Sequence, residues 1–354
     1  MAYSAFPFRR PWAMATLVFA IGASASALWV WRAQGENAAL AHARFVERAD
    51  AFSEALAQRV DAYTDIAFGL RGLFLANPNL SRRDFVLAAQ RLDIANRHPE
   101  IKNLAFTRYV RGADKDAFVA RVRADTSLEP QGYPGFAIRP PGERAEYFVA
   151  DYLWPLEGNQ GIHGLDISAQ PVNLASMRYA QSSGKPVASG PFDLLQETSQ
   201  RTGFVIRVPV FRSPGHSASD QAPADFMGAV AVTLRVRDVI ERLRREGRLA
   251  GLLLYLSDGG AEYSPQTFAV NLPLYLEVGA TDPSRDASYR RELSVFGRKW
   301  RVEMAPGQSF LSASERNTPL WQGLVGMSLS LLAALVSASV VRQRSGSPAV
   351  EPDA

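Results

Sequence analysis

Three side chains near the middle of the chain, His163, Asp166 and Ser168, are of the types that serine hydrolases combine. In such a triad the histidine takes a proton from the serine, and the carboxylate orients the imidazole. Glycines flank this histidine at positions 161 and 164, a pattern more typical of a turn between a strand and a helix. We therefore expect a locally hydrogen-bonded histidine in a turn and no catalytic triad.

Other enzyme signatures are missing from the sequence. The four histidines form no H-E-x-x-H pair, and the chain contains no cysteine, so a zinc site would lack its usual ligands. There is no G-x-S-x-G elbow, no Walker loop and no G-x-G-x-x-G after a predicted strand. The sequence predicts no catalytic residue, no metal site and no cofactor, and hence a protein that is not an enzyme.

The composition is that of a folded protein. Of the 354 residues, 47% are hydrophobic and 21% are charged, which argues against disorder and predicts one large or two smaller folded units. The chain is basic, with a net charge of +4, but its arginines are scattered and form no run that would follow a phosphate backbone. We therefore expect no nucleic-acid partner.

Two uncharged segments near the ends are long enough to cross a membrane as helices. The first covers residues 12–31, with tryptophans at both edges as interfacial anchors, and the second covers residues 320–341. The second segment contains Gly323, Gly326 and other small residues, which would let two helices approach closely. Arginines precede the first segment and follow the second, so the positive-inside rule places both termini in the cytoplasm and residues 32–319 outside, in the periplasm of a Gram-negative cell.

The first segment has a second interpretation. Arg9 and Arg10, the apolar run and the small residues 23–27 also fit a cleavable signal peptide. Bulky residues continue the apolar run through residues 28–31, which favours a retained anchor. Whether the segment is retained or cleaved stays open, and in either case the following domain is exported.

A long helix is predicted over residues 35–76, which would form a stalk. Its apolar residues recur at steps of three, four and seven, the spacing of one stripe on a helix: Phe45, Phe52, Leu56, Val60, Tyr63, Ala67, Leu70 and Phe74. The stripe would pack on its own domain, or pair with a second subunit in a homodimer and carry motion to the membrane. The two interpretations do not exclude each other.

Asn77-Pro78-Asn79 should end the stalk, and Ser81, followed by Asp84, should cap the start of the next helix. Beyond that helix the sequence predicts both strands and helices. Strands are predicted at 101–110, 147–154, 204–211, 227–234, 252–256, 289–296 and 300–304, and helices at 114–124, 171–181 and 236–247. Residues 212–223 should be a loop, residues 257–260 (Ser-Asp-Gly-Gly) a turn, and Gly297 should join the last two strands. This order indicates an α+β fold, with an antiparallel sheet and helices on one side.

The segment 136–211 carries an ordered set of motifs. They are Phe136-Ala-Ile138-Arg-Pro140, Gly142-Glu-Arg144, Tyr147, Tyr152-Leu-Trp-Pro155, Asn159, Gly164-Leu-Asp166, Ser168, Pro171, Ser182-Ser183-Gly184-Lys185, Ser189-Gly-Pro191, Gly203-Phe204 and Val208-Pro209-Val210-Phe211. Together with Asn103-Leu104-Ala105-Phe106 upstream, this order resembles the CHASE domain over roughly residues 70–235. That domain is the extracytoplasmic sensory module in front of histidine kinases and diguanylate cyclases and in plant cytokinin receptors.

The resemblance implies a stalk helix followed by two stacked PAS-like units, flanked here by two transmembrane helices. The expected domains are a cytoplasmic N-terminus (1–11), transmembrane helix 1 (12–31), the stalk (35–76), a distal ligand-sensing PAS-like unit (77–235), a proximal PAS-like unit (236–306), a linker (307–319), transmembrane helix 2 (320–341) and a cytoplasmic tail (342–354). The tail is too short for a catalytic domain. We therefore expect a membrane-anchored sensor without its own output domain.

Within the sensing unit, aromatic side chains would stack on a small ligand and a few polar groups would orient it. The candidate ligand-binding residues are Phe136, Tyr147, Tyr152, Asn159, Asp166, Ser189, Phe192 and Phe204. Asp166 is also well placed to cap a helix, and the aromatics equally fit a hydrophobic core. Nothing in the sequence specifies an adenine ligand, although plant receptors of this type bind cytokinins.

The sequence also fits two other functions. One is the input fragment of a histidine kinase or diguanylate cyclase, and the other is a membrane scaffold for a separate signalling partner. The expected partners are an unidentified small-molecule ligand, the membrane, a second copy of the chain through the stalk, and a separate cytoplasmic or membrane signalling protein.

Overall fold

The computed structural model describes residues 10–193, 202–212, 225–263, 272–276 and 287–345. Within them the helices are α1 (Arg10–Ala76), α2 (Arg82–Arg91), α3 (Ile94–Arg97), α4 (Lys115–Arg123), α5 (Pro171–Ser183), α6 (Val236–Arg245) and α7 (Ala313–Ser345). The strands are β1 (Ile101–Arg111), β2 (Glu146–Trp154), β3 (Val187–Ala188), β4 (Phe192–Asp193), β5 (Thr202–Phe211), β6 (Phe226–Arg235), β7 (Leu252–Ala261), β8 (Leu272–Leu276), β9 (Tyr289–Val295) and β10 (Arg298–Pro306). Helices combine with two antiparallel sheets, which confirms the mixed helix and sheet composition.

The chain divides into two compact units. One contains residues 1–47 and 308–354, and its parts of α1 and α7 include the two segments that are long and apolar enough to cross a membrane. These helices approach through small residues, as predicted. A Cβ atom added to Gly326 would lie 2.6 Å from Ser26 Oγ, and one added to Gly22 would lie 2.5 Å from Ser330 Oγ. A larger side chain at either glycine would force the two helices apart.

The second unit, residues 48–307, contains most of the predicted apolar stripe of α1. From Phe52 to Phe74 the stripe residues are almost completely buried, and the ring of Phe74 stacks on Phe106 of β1 with centroids 4.1 Å apart. The helix ends at Ala76, and Ser81 Oγ then accepts a hydrogen bond from Asp84 N at the start of α2, as the sequence predicts. The stripe therefore packs within its own chain, and its pairing with a second subunit stays a prediction.

The first sheet, which we call the distal sheet, has the strand order β2-β1-β6-β5-β3, with β4 also paired to β5. Its central strands are buried on both faces, under α1 and α2 on one and under α5 on the other, so the prediction of helices on one side of the sheet is wrong. Because side chains alternate between faces along a strand, the large residues Phe106 and Tyr152 point to one face, toward α1 and α2. The opposite face carries smaller residues, among them Ala105 and Ala231, which are direct cross-strand neighbours.

The second sheet has the order β8-β7-β10-β9, and here one prediction is wrong. Residues 257–260 do not form a turn, because β7 continues through them to Ala261. The Asp258 carboxylate pairs with Arg298 in the interior, and the pairing of β7 with β10 shifts register between Arg298 and Trp300. With Gly260 at φ 104°, the Asp-Gly-Gly sequence forms a β-bulge in a continuing strand.

Most other predicted elements are present. The turn at Gly297 joins β9 to β10, with positive φ at both Phe296 and Gly297, as a two-residue hairpin of type I′ requires. The short strands β3, β4 and β8 were not predicted. The predicted loop 212–223 lies almost entirely outside the described residues, and α7 begins at Ala313, inside the predicted linker.

Candidate ligand-binding site

A cavity of about 60 Å³ lies over the small-residue face of the distal sheet. Its floor is built from every second residue along neighbouring strands. Residues that lie directly opposite one another on these strands form rows across the sheet. The rows are Val205–Thr233–Asn103, Arg207–Ala231–Ala105 and Thr107–Ala150. Alanines at the centre of the floor leave space that larger side chains would fill, since protein interiors are otherwise close-packed.

The roof of the cavity comes from the segment between β2 and α5 and from β4. Most of its side chains are apolar, namely Ile162, Leu165, Ile167 and Phe192. The amide groups of Gln170 and Asn173 complete it. The Asn173 amide donates to Gln170 Oε1 over 2.6 Å, which links the first turn of α5 to the residue before it. An apolar enclosure with a few polar groups is the usual make-up of a small-molecule site.

Arg207 supplies a charge to this enclosure. It stands in the middle of β5, where it is 2% exposed. Its Nη1 donates to Ser176 Oγ and its Nη2 to Asn173 Oδ1, both over 2.8 Å and both to α5. Its Nε is buried without a hydrogen-bond partner. Burial lowers the pKa of Arg207 to about 10, so the guanidinium is still protonated at neutral pH.

A polar row closes the other end of the floor. Thr233 Oγ1 donates to Asn103 Oδ1 over 2.9 Å, and Asn103 Nδ2 donates to Asn159 Oδ1 over 3.2 Å. All three side chains are buried, and the first two line the cavity. The cavity thus has a cationic edge at Arg207, an uncharged polar edge at Asn103 and Thr233, and an apolar centre.

Of the eight residues that the sequence singles out, the structure places one in the wall of this cavity and a second next to it. Phe192 lines it and packs with Ala105, Val205 and Ala231. Asn159 is one step removed, through its hydrogen bond to Asn103. These positions agree with a ligand-binding role for both residues, which stays a prediction.

Three of the eight lie in or beside a separate cluster under α4. Phe136 and Tyr147 pack there with Phe118, and the Tyr147 hydroxyl donates to Gly142 O, which closes the loop before β2. Asp166 is fully buried and its Oδ1 accepts hydrogen bonds from Phe148 N and Ser168 N. Asp166 therefore caps a short 3₁₀ turn before α5, the capping role that the sequence offered as its second interpretation.

The remaining three face away from the cavity or support its walls. Phe204 alternates with the cavity-facing Val205 of β5, and a β-bulge at Asp151 turns Tyr152 away from the face that Ala150 lines, so both rings point to the opposite face of the sheet. There Tyr152 donates to Leu80 O and Phe204 meets the edge of the Trp300 ring at 4.9 Å. Ser189 Oγ accepts a hydrogen bond from Val205 N, which fastens the segment after β3 to β5.

A second concave region, which we call the His163 groove, has a volume of about 360 Å³. Phe136 and Tyr133 line it, and their ring centroids lie 4.9 and 5.2 Å from that of His163. His163 Nε2 is 3.4 Å from Arg82 Nη1. Burial, reinforced by the charge of Arg82, lowers the pKa of His163 to about 4. Among the described residues no group of three potential metal ligands is brought together.

Sequence reasoning missed the residues that shape the cavity. Ala105, Ala150 and Ala231 carry no functional group, and only their registered positions across three strands reveal the space above them. Arg207 did offer a clue, because a charged residue in the middle of the apolar segment Phe-Val-Ile-Arg-Val-Pro-Val is unusual.

Comparison with models of known protein families identifies the family of this chain. The profile of the CHASE domain matches residues 78–269, which is more than half of the chain. The chain belongs to the CHASE domain family, and this region is an extracellular ligand-binding sensor domain. A search of curated protein sequences returned no match.

Solved structures similar to this one include sensory proteins. An extracellular ligand-binding receptor from Desulfohalobium retbaense has a TM-score of 0.47 and 13% identity over 75% of this chain and 40% of its own. The ligand-binding domain of the amino acid chemoreceptor PctC of Pseudomonas aeruginosa, solved with GABA, has a TM-score of 0.38 and 9% identity over 74% of this chain and 98% of its own. Methyl-accepting chemotaxis protein X has a TM-score of 0.39 and 13% identity over 73% and 96%. The chain spans less than half the length of the first of these.

The lowered pKa of His163 predicts a pH-dependent stability. In the unfolded chain a histidine titrates near pH 6.5, so between about pH 6.5 and 4 the unfolded state binds a proton that the folded state does not. Stability is then lost as the pH falls through this window, by about 2 kcal/mol for a partly exposed ring. Urea unfolding of the full chain in lipid nanodiscs, at about pH 7 and pH 4.5, measures this loss.

In the His163→Gln variant this part of the pH dependence should disappear. The exposed His42 provides a matched control, since His42→Gln should leave the pH dependence of unfolding as in the wild type. An equal loss of stability in the wild type and in His163→Gln would show that His163 does not carry the effect.

Proposed function

We propose that the chain is a two-pass membrane receptor whose extracytoplasmic CHASE domain binds a small molecule in the cavity over the distal sheet. The observation that carries this proposal is the enclosure itself, with an alanine floor, an apolar roof and buried polar groups at both edges. The flanking helices that can cross a membrane, with arginines before the first and after the second, support a placement with residues 32–319 in the periplasm. The two sheets with their helices would be the distal and proximal PAS-like units.

A series of contacts in residues 48–307 supports a route for the signal. Helix α5, which holds Arg207, also carries Tyr179, whose ring stacks on that of Tyr263 with centroids 4.7 Å apart. The Tyr263 hydroxyl donates to Ala188 O and lies 3.4 Å from Arg298 Nη1. Arg298 belongs to the second sheet, so a shift of α5 on ligand binding would act on that sheet directly.

The second sheet in turn contacts α1. The Tyr289 hydroxyl of β9 donates to Asp50 Oδ1 over 2.7 Å, and Arg291 Nη1 lies 3.2 Å from the same oxygen. We infer that a change in α5 reaches α1 through these contacts and continues along α1 to the membrane. Output by a separate protein, the kinase or cyclase fragment and the scaffold all stay predictions.

Filling the cavity should weaken ligand binding. Leucine in place of Ala231, at the centre of the floor, would occupy the space above the sheet, and we expect at least a tenfold loss of affinity. The measurement is isothermal titration of the full chain in nanodiscs with a panel of neutral, cationic and anionic metabolites. Circular dichroism confirms that the variant is folded, and Ala231→Val is the milder variant if it is not.

The matched control is Ala137→Leu, which fills the His163 groove at an exposed position and should leave binding unchanged. Loss of binding in Ala137→Leu with retention in Ala231→Leu would move the site to that groove. A panel without any ligand for the folded wild type would overturn the receptor proposal.

The proposed topology is open to a direct test because the chain has no cysteine. Single cysteines at Ser4, Glu157 and Ser347 are treated with a membrane-impermeant maleimide in spheroplasts. We expect labelling of Glu157→Cys in intact spheroplasts, and labelling of the other two only after permeabilisation. Labelling of Ser347→Cys without permeabilisation would contradict the two-pass arrangement.

A further inference from the structure

From the environment of Arg207 we infer that the cavity ligand is a small organic carboxylate, bound at its carboxylate end by this guanidinium. The inference rests on the proposed function and adds the chemical class of the ligand. It follows from one unusual feature, a cation in the interior of the distal sheet that lacks a partner of opposite charge.

Other buried cations in this domain have carboxylate partners. Arg82 contacts Asp125 and Asp151, and Arg298 pairs with Asp258. The partners of Arg207, by contrast, are a serine hydroxyl and an asparagine carbonyl, both neutral. Among the described residues no carboxylate forms an ion pair with its guanidinium.

An unpaired buried charge is costly, because removal of a cation from water is compensated only by an opposite charge and well-formed hydrogen bonds. Two neutral acceptors provide part of that compensation and leave Nε unused. Arg207 lines the cavity, so an anion that enters it would reach this residue without any movement of the sheet. The fold thus places a buried guanidinium without an anionic partner at the wall of the cavity.

The chemistry of the site favours a carboxylate over other anions. A guanidinium presents its N–H groups in a plane that matches the two oxygens of a carboxylate. The cavity of about 60 Å³ admits only a few non-hydrogen atoms in its enclosed part. Beyond the carboxylate, the alanine floor and Phe192 would contact carbon atoms, and Thr233 and Asn103 could bond a hydroxyl or keto group.

The test compares each acid with its neutral amide in the full chain in nanodiscs, by isothermal titration. Suitable pairs are acetate with acetamide, lactate with lactamide and glycolate with glycolamide, and inorganic phosphate is included as a competing anion. We expect one or more acids to bind at least tenfold more tightly than the matching amide, since a charge-assisted hydrogen bond is worth more than that factor. This comparison needs no variant and so does not depend on the folding of one.

Variants then assign the preference to Arg207. Arg207→Gln should remove the preference for the acid, whereas Arg207→Lys keeps the charge and should retain part of it. Arg139→Gln is the matched control, since Arg139 is an exposed arginine that lines the other groove, and it should keep the full preference.

The outcomes separate the two proposals. If compounds bind and Ala231→Leu blocks them, but amides bind as tightly as acids or Arg207→Gln keeps the preference, the carboxylate inference fails and the receptor proposal stands. Preferential binding of phosphate would overturn the inference in the same way. If compounds bind but Ala231→Leu blocks none of them, the cavity is not the ligand site and the carboxylate inference fails with it. If no compound of either panel binds, the receptor proposal itself fails.

Discussion

The distal sheet is buried on both faces, and this constraint governs the rest of the domain. On one face the large side chains of β1 and β2 pack against α1 and α2, so that face is filled. On the other face the central positions are Ala105 and Ala231, and the cover over them is a loop and one helix. Since close-packed interiors leave few voids, a row of small residues under a roof maintains a space that a ligand can fill.

Arg207 borders this space, and it holds the roof together with residues that begin α5. Arg207 donates two hydrogen bonds to α5, Asp166 caps the turn that leads into that helix, and Pro171 occupies the first helical position. The N-terminal half of α5 is therefore attached to the sheet beside the cavity, and Tyr179 in its C-terminal half stacks on Tyr263. A ligand that competes for Arg207 would alter the attachment of α5, which gives binding a mechanical consequence.

Much of the fold could be predicted from the sequence, because its signals are local. The seven-residue and four-residue steps of the α1 stripe, the Ser81 cap and the β-branched residues of β5 and β6 are each signals that lie close together in the chain. Asp258-Gly259-Gly260 misled the prediction because the same residues suit a turn or a bulge, and the buried pairing with Arg298, forty residues away, selects the bulge.

The candidate site was less predictable for a related reason. Phe136, Tyr147 and Phe204 were candidates because they are aromatic, but aromatic side chains occur in hydrophobic cores as readily as in binding sites. The cavity depends on small side chains, and the alanines indicate a cavity only when β1, β2 and β6 are in register. The role of Asp166 as a cap and the position of Phe192 at the cavity were both within the range of the sequence-based alternatives.

Hydrogen–deuterium exchange of the full chain in nanodiscs, with and without the tightest-binding compound, tests the central claim most directly. The account predicts that the ligand slows exchange most in the peptides that cover residues 165–180 and 203–209, which form the roof and the Arg207 edge of the cavity. Slower exchange confined to residues 133–139 and 160–163, around His163, with no change in α5 or β5, would contradict it.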